Sequence, residues 1–244
     1  HRDITVNIRF NVKRLAYRKL DGRRIAERVP KESLARFLAP ARLIPIDGKI
    51  AEEARRVTCD VEAPLAVARC LYDHIVSTVR YDKSGTGWGR GDAVRACLIR
   101  TGNCTDFHSL FIGEARALGL PARFVMGLPL PEDKSSGEIL GYHCWAEFYL
   151  EGEGWVPLDA SEASKFPERK ESLFGGLDAN RVAFTIGRDI RIPEAATDPY
   201  NYVIYPHVEV DGKTHINVET KFSFGDIREA DATVAAQRAA LVGR

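Results

Sequence analysis

Cys104 stands where a helix is expected to begin. Residues Thr105 to Leu118 place Phe107, Leu110, Phe111, Ala115 and Leu118 on one face, Gly119 follows at the position of a C-terminal cap, and Pro121 lies beyond it. Unpaired N–H groups and the dipole at a helix N-terminus favour negative charge, so a thiol there is drawn toward the nucleophilic thiolate. Gly102-Asn103 precedes it, letting the backbone approach closely and leaving amides for a developing oxyanion. Most lone cysteines are small buried hydrophobes, so the chemical reading needs a base and a group that orients the base.

Two strand candidates, His143 to Leu150 and Trp155 to Ala160, supply both. On the first, Cys144, Ala146, Phe148 and Leu150 form an apolar face, with His143, Trp145, Glu147 and Tyr149 opposite. On the second, Val156, Leu158 and Ala160 are apolar, with Trp155, Pro157 and Asp159 opposite. Matching the apolar faces pairs even-numbered with even-numbered positions, which puts His143 and Asp159 on one face. That register requires an odd-length connection or a bulge, and Gly152 and Gly154 supply the positive-φ positions. With Leu150 opposite Gly154, Asp159 falls diagonal to His143, within hydrogen-bond reach; with Leu150 opposite Val156 it falls four residues along.

Helical patterns before Cys104 cover Ile50 to Thr58 and Pro64 to Val79, the latter with Val67, Leu71, Ile75 and Val79 four apart and Pro64 at its first position. Ile4 to Phe10 alternates as an edge strand, and Ala122 to Leu128 reads as another strand. A glycine-rich loop spans Gly85 to Gly91; it lacks a P-loop ending, and its Trp88 either contacts substrate or caps the core. Residues 131–141 read as a polar loop, and a strand is expected over Val182 to Ile192. A hairpin is expected from Tyr202 to Val210 and Lys213 to Phe224 about Asp211-Gly212, with Pro206 marking an edge. An Ala-rich helix is expected over about 226–242.

The chain has 244 residues, 45% hydrophobic and 28% charged, with a formal net charge of +1. This composition excludes disordered and collagen-like classes and supplies no global field for nucleic acid or an anionic membrane. Basic residues from Arg14 to Arg28 read as solvated surface, and nucleic acid is not an expected partner. No apolar run approaches the roughly 20 residues that cross a bilayer. Five cysteines, an odd number without a CxxC pair, argue against a disulfide framework or a structural zinc site. The chain opens without Met; an extracytoplasmic location is expected if a leader was removed, a cytoplasmic one otherwise.

Four segments carry a resemblance: Gly102-Asn103-Cys104-Thr105-Asp106-Phe107, Ala115 to Arg123, His143-Cys144-Trp145-Ala146-Glu147-Phe148-Tyr149, and Gly154-Trp155-Val156-Pro157-Leu158-Asp159-Ala160. In this order and spacing, over about residues 50–165, they resemble the transglutaminase-like superfamily of thiol enzymes. Residues 180–212, with Gly187-Arg188-Asp189-Ile190 and Asn201-Tyr202, resemble the C-terminal part of bacterial members. The resemblance implies an α+β, papain-like core with the nucleophile helix packed on an antiparallel sheet, a C-terminal β-hairpin extension and a terminal helix. It implies Cys104 as nucleophile, His143 as general base and acid, and Asp159 as orienter. Relatives use a Trp upstream of the nucleophile to help hold the oxyanion; Trp88 is the corresponding candidate, closer to the cysteine than in the animal enzymes. Asn103 and Trp145 are further oxyanion or substrate-binding candidates, although Trp145, with Trp155 and Tyr149, could equally cover the sheet. Asp106 is expected to complement the helix dipole. The calcium sites of the animal enzymes have no counterpart here, so neither metal nor cofactor is expected.

The expected organisation is an N-terminal strand and basic segment (1–48), a catalytic core (49–165) and a C-terminal β extension and helix (166–244) packed on the core. The expected activity is cysteine-dependent acyl transfer on amide or peptide bonds of a protein or peptide substrate, a peptidase or amidase first. A transamidase and a non-catalytic binding module of the same fold are the alternatives, and the sequence leaves the oligomeric state open.

Overall fold

Amphipathic periodicity before Cys104 becomes three helices: α1 (Gly48–Thr58), α2 (Pro64–Thr78, with proline in its first turn) and α3 (Ala93–Ile99, capped by the Asp92 side chain on Arg95 N–H). They surround α4 (Cys104–Ala117), which is buried along nearly its whole length. The computed structural model describes residues 4–18, 20, 29–59, 61–192 and 198–227.

The other layer is a four-stranded antiparallel sheet in the order β3-β2-β1-β4, comprising β1 (Ala122–Pro129), β2 (His143–Leu150), β3 (Gly154–Leu158) and β4 (Arg181–Ile186). β2 and β3 pair Leu150 with Gly154, Phe148 with Val156 and Ala146 with Leu158, the even-with-even register. The connection 151–153 has three residues, and Gly152 (φ 83°) and Gly154 (φ 81°) take the left-handed conformations it needs. The even-numbered face, including Phe124, Met126, Cys144, Ala146 and Phe148, packs against Phe107, Leu110 and Phe111 of α4 in one core. A short helix, α5 (Ala160–Lys165), follows β3 directly. This is the mixed helix-and-sheet arrangement expected from the sequence, with the nucleophile helix on an antiparallel sheet.

Several expectations are corrected. Ile4 to Phe10 is not a strand: it is irregular, with Ile4, Val6, Ile8 and Phe10 between 56% and 88% exposed, and the first strand is Tyr17–Arg18 paired with Leu177 and Gly176. Alternation alone forms no strand without a partner edge, and the segment meets the sheet through a ring contact of Phe10 with Phe184. The long C-terminal hairpin reduces to Glu209–Val210 against Lys213–Thr214, around Asp211 and Gly212, both at positive φ as a type I′ turn demands. Its intended second arm is pulled elsewhere: Phe222–Gly225 pairs with Ser136–Ile139, inside what reads as a polar loop, which lets Phe222 and Phe224 pack on the core. β4 ends at Ile186, short of Ile192. The expected helix over 226–242 lies almost wholly outside the described residues, as does most of the basic run beyond Arg18. Among the described residues no helix is long and apolar enough to cross a membrane.

Candidate active site

Asn103 caps α4, its side chain accepting from Thr105 N–H at 3.0 Å, and Asp106 reaches back to Asn103 N–H at 3.0 Å, completing a capping box. The fully buried Asp106 also accepts from Gly89 N–H (2.7 Å) and Gly91 N–H (3.1 Å). Burial pushes its carboxyl up, against these three amide donors. Asp106 therefore does more than complement the dipole: it ties the glycine-rich loop to the start of the nucleophile helix. Gly102 is required here, because a Cβ at that position would come within 2.4 Å of the Asp106 carboxylate. Asp106→Ala should cost about 2 kcal/mol in chemical denaturation, the combined scale of a lost cap and unpaired buried amides. A loss under about 0.5 kcal/mol, the level of a neutral surface change, would mean that the loop does not depend on this anchor.

The same loop is held from its other side by the C-terminal motif. Arg188 donates to the Arg90 and Gly91 carbonyls (3.2 and 3.1 Å) and to Asn201 O (2.9 Å). Asn201 Nδ2 donates to Arg90 O (2.7 Å), and Tyr202 OH donates to Gly89 O (3.0 Å).

Cys104 is 2% exposed and His143 8%. The register places Asp159 just past β3, where the chain leaves the strand; its N–H bonds Leu173 O at 3.0 Å and its Oδ1 caps α5 by accepting from Glu162 N–H at 2.9 Å. Its Oδ2 accepts from His143 Nε2 at 2.6 Å, which leaves Nδ1 as the ring nitrogen available to the cysteine. Burial disfavours the imidazolium, but the Asp159 charge and hydrogen bond, joined by the Cys104 sulfur, outweigh it and raise His143 to about 9. A hydrogen bond from the Cys144 thiol lowers Cys104 most; burial opposes this, and the His143 hydrogen bond and charge bring the thiol well below the ordinary range. Burial raises Cys144 itself, so it remains the protonated donor of the pair. The three expected catalytic residues thus come together, with the thiol and the carboxyl lowered and the imidazole raised.

Sequence reasoning missed three partners. Arg181 of β4 pairs with Asp159 Oδ2 and, at 3.0 Å, with Asp178, so the buried carboxylate faces two cations. Their charges overcome burial and hold Asp159 well below the usual carboxylate range. His108, one turn after Cys104, lies 3.3 Å from Asp159 Oδ1, too poorly aligned for a hydrogen bond, and 3.6 Å from Cys144 Sγ. The i, i+4 spacing from Cys104 was a usable signal for His108, and adjacency to His143 for Cys144; nothing local marked Arg181.

The subsidiary candidates separate. Asn103 stays beside the nucleophile and donates to Tyr142 OH at 3.2 Å. Trp88 is half-buried on its loop, with the Lys83 ammonium 5.9 Å from its ring. Trp145 clusters with Val125 and Leu177 apart from the main core, its ring 6.0 Å from the Arg181 guanidinium. All five cysteines are free thiols.

A buried thiol opening a helix, paired through a strand histidine to a carboxylate at the next strand's end, is the arrangement of the thiol-enzyme class that the four sequence segments resemble. Residues 51–160 match the model of the transglutaminase-like superfamily, so this segment is a transglutaminase-like domain. The chain is 32% identical to an uncharacterized protein of Haemophilus influenzae, over 69% of this chain and 55% of that protein. It is 26% identical to uncharacterized protein ML0607 of Mycobacterium leprae, over 73% of this chain and 62% of that one. It therefore spans little more than half the length of these curated relatives. A solved structure from Cytophaga hutchinsonii, described as a candidate cysteine protease, is 21% identical over 73% of this chain and 63% of its own, with a TM-score of 0.47.

Proposed function

We propose that this protein is a cysteine-dependent acyl-transfer enzyme that cleaves amide or peptide bonds, a peptidase or amidase. The observation that carries the reading is the His143–Asp159 hydrogen bond of 2.6 Å beside a cysteine whose thiol is lowered at a helix N-terminus. The Cys104 thiolate attacks the carbonyl carbon and forms a C–S bond. Thr105 N–H is already taken by Asn103, and Asp106 N–H by Asn103 O, so Cys104 N–H is the first-turn amide left to receive the oxyanion. Collapse breaks the C–N bond, and the amine leaves with the His143 proton. Water then attacks the thioester as His143 takes its proton, and the carboxylate product departs with the thiolate restored. Asp159 keeps His143 oriented throughout and stabilises the imidazolium whenever it is present.

Iodoacetamide labelling against pH, located by mass spectrometry, tests this, with exposed Cys59 as the internal standard. Cys104 is expected to label well below the ordinary thiol pKa of about 8.5, and His143→Ala should move its profile toward that of Cys59. Because the leaving amine needs the imidazolium, turnover should decline as pH rises through about 9. Labelling of Cys104 no faster than Cys59 would reject the mechanism and favour a non-catalytic binding module.

A further inference from the structure

The face of the sheet turned away from α4 carries a cavity that the catalytic set does not line. Its volume is about 670 Å³, within the range of roughly 300–1,000 Å³ usual for small-molecule sites. Trp145, with Val125 and Leu177, lines one part of it, and Trp155 another. Trp155 is a rigid surface: the Arg123 guanidinium stacks 4.1 Å from its ring, while Phe37 and Tyr149 meet it edge-on at 4.9 and 5.5 Å.

Among the described residues, one buried polar group of this lining has no partner, and one cation has no counterion. Trp145 is 2% exposed, and its indole N–H is buried without a hydrogen-bond partner, a state that costs about 1–3 kcal/mol. Arg14 also lines the cavity. Its Nε donates to the Arg181 carbonyl at 2.9 Å, and among the described residues no carboxylate neutralises it. The other charged groups of the lining cancel, since Arg123 pairs with Glu147 at 2.6 Å. An aromatic-walled cavity with one net positive charge matches a carboxylate borne on a flat apolar body.

We propose that this cavity binds a small aromatic carboxylic acid, its carboxylate on Arg14 and its ring against Trp145 and Trp155, independently of the catalytic cysteine. The cavity's walls come from the segment around Phe10 to Tyr17 as well as from the sheet.

Isothermal titration with 3-phenylpropionate tests the proposal, with 3-phenylpropionamide as the neutral control. The acid is expected to bind wild type at about 1 mM or tighter, the scale of a ligand of this size. The amide should bind about tenfold more weakly, and Arg14→Gln should reduce the acid to the amide's level, the worth of a charge-assisted hydrogen bond. Cys104→Ala should leave the affinity unchanged. The proposal is overturned if the acid shows no saturable binding, if acid and amide bind alike, if Arg14→Gln binds as wild type does, or if Cys104→Ala loses the ligand. The amide comparison requires no substitution, so it decides the matter even if Arg14→Gln perturbs folding.

Discussion

Cys104→Ala is expected to lower turnover of any amide that the wild type cleaves by at least about 10⁴-fold, while leaving the protein folded. Loss of a nucleophile in a set that acts as a unit removes the covalent route entirely, and removal of the base alone is about as damaging. His143→Ala should therefore fall within about tenfold of Cys104→Ala, and the double variant should be no worse than either. The fold persists because the change deletes a single small buried atom and, with it, a thiolate whose burial opposes ionisation. Rates on a fluorogenic peptide pool, with thermal melts as the folding control, check this. Retention of activity in Cys104→Ala would reject the thioester mechanism outright.

Asp159→Asn should do two kinds of damage together. Its carboxylate is fully buried and answers His143, Arg181, Ser161 and the first turn of α5. The amide keeps the shape but not the charge, leaving Arg181 with only Asp178 and the imidazolium without its carboxylate. Breaking a buried pair by removing one partner costs about 3–5 kcal/mol, and the loss should appear in urea unfolding at neutral pH. Activity should fall about 10³–10⁴-fold, as it does when a triad histidine loses the carboxylate that sets its tautomer. The pH dependence separates the causes. Because the folded-state pKa of Asp159 is depressed, its contribution to stability is complete above the ordinary value of 3.8 and is lost as pH falls through the lower, folded-state value. Asp159→Asn should lack that acid component. A variant as stable as wild type but inactive would assign Asp159 to orientation alone.

Much of the site was legible because strand pairing obeys parity. Once Cys144, Ala146, Phe148 and Leu150 had to face the core with Val156 and Leu158, His143 and Asp159 shared a face, and of the two registers this left open the structure has Leu150 opposite Gly154 across the three-residue turn containing Gly152. The α4 start was equally local, since the Asn103 cap and the apolar face of Phe107, Leu110 and Phe111 fall within one turn or two of Cys104. Local pattern misled where the outcome depended on a distant partner. Ile4 to Phe10 alternates as a strand does, yet its residues stay exposed without a neighbouring edge, and Phe222–Gly225 left its expected hairpin for Ser136–Ile139.

By itself, the amino-acid sequence determined an α+β chain, the helix that presents Cys104 and the parity that puts His143 and Asp159 on one face, because caps, periodicity and parity act over a few residues. Only the tertiary structure decided what surrounds them. Arg181 reaches Asp159 from 22 positions away, Arg188 clamps the Gly89–Gly91 loop from 97 positions away, and Trp145 turns to an outer cavity instead of the cleft. Charge pairing of buried groups acts through space, where desolvation makes each partner decisive, and no spacing along the chain records it.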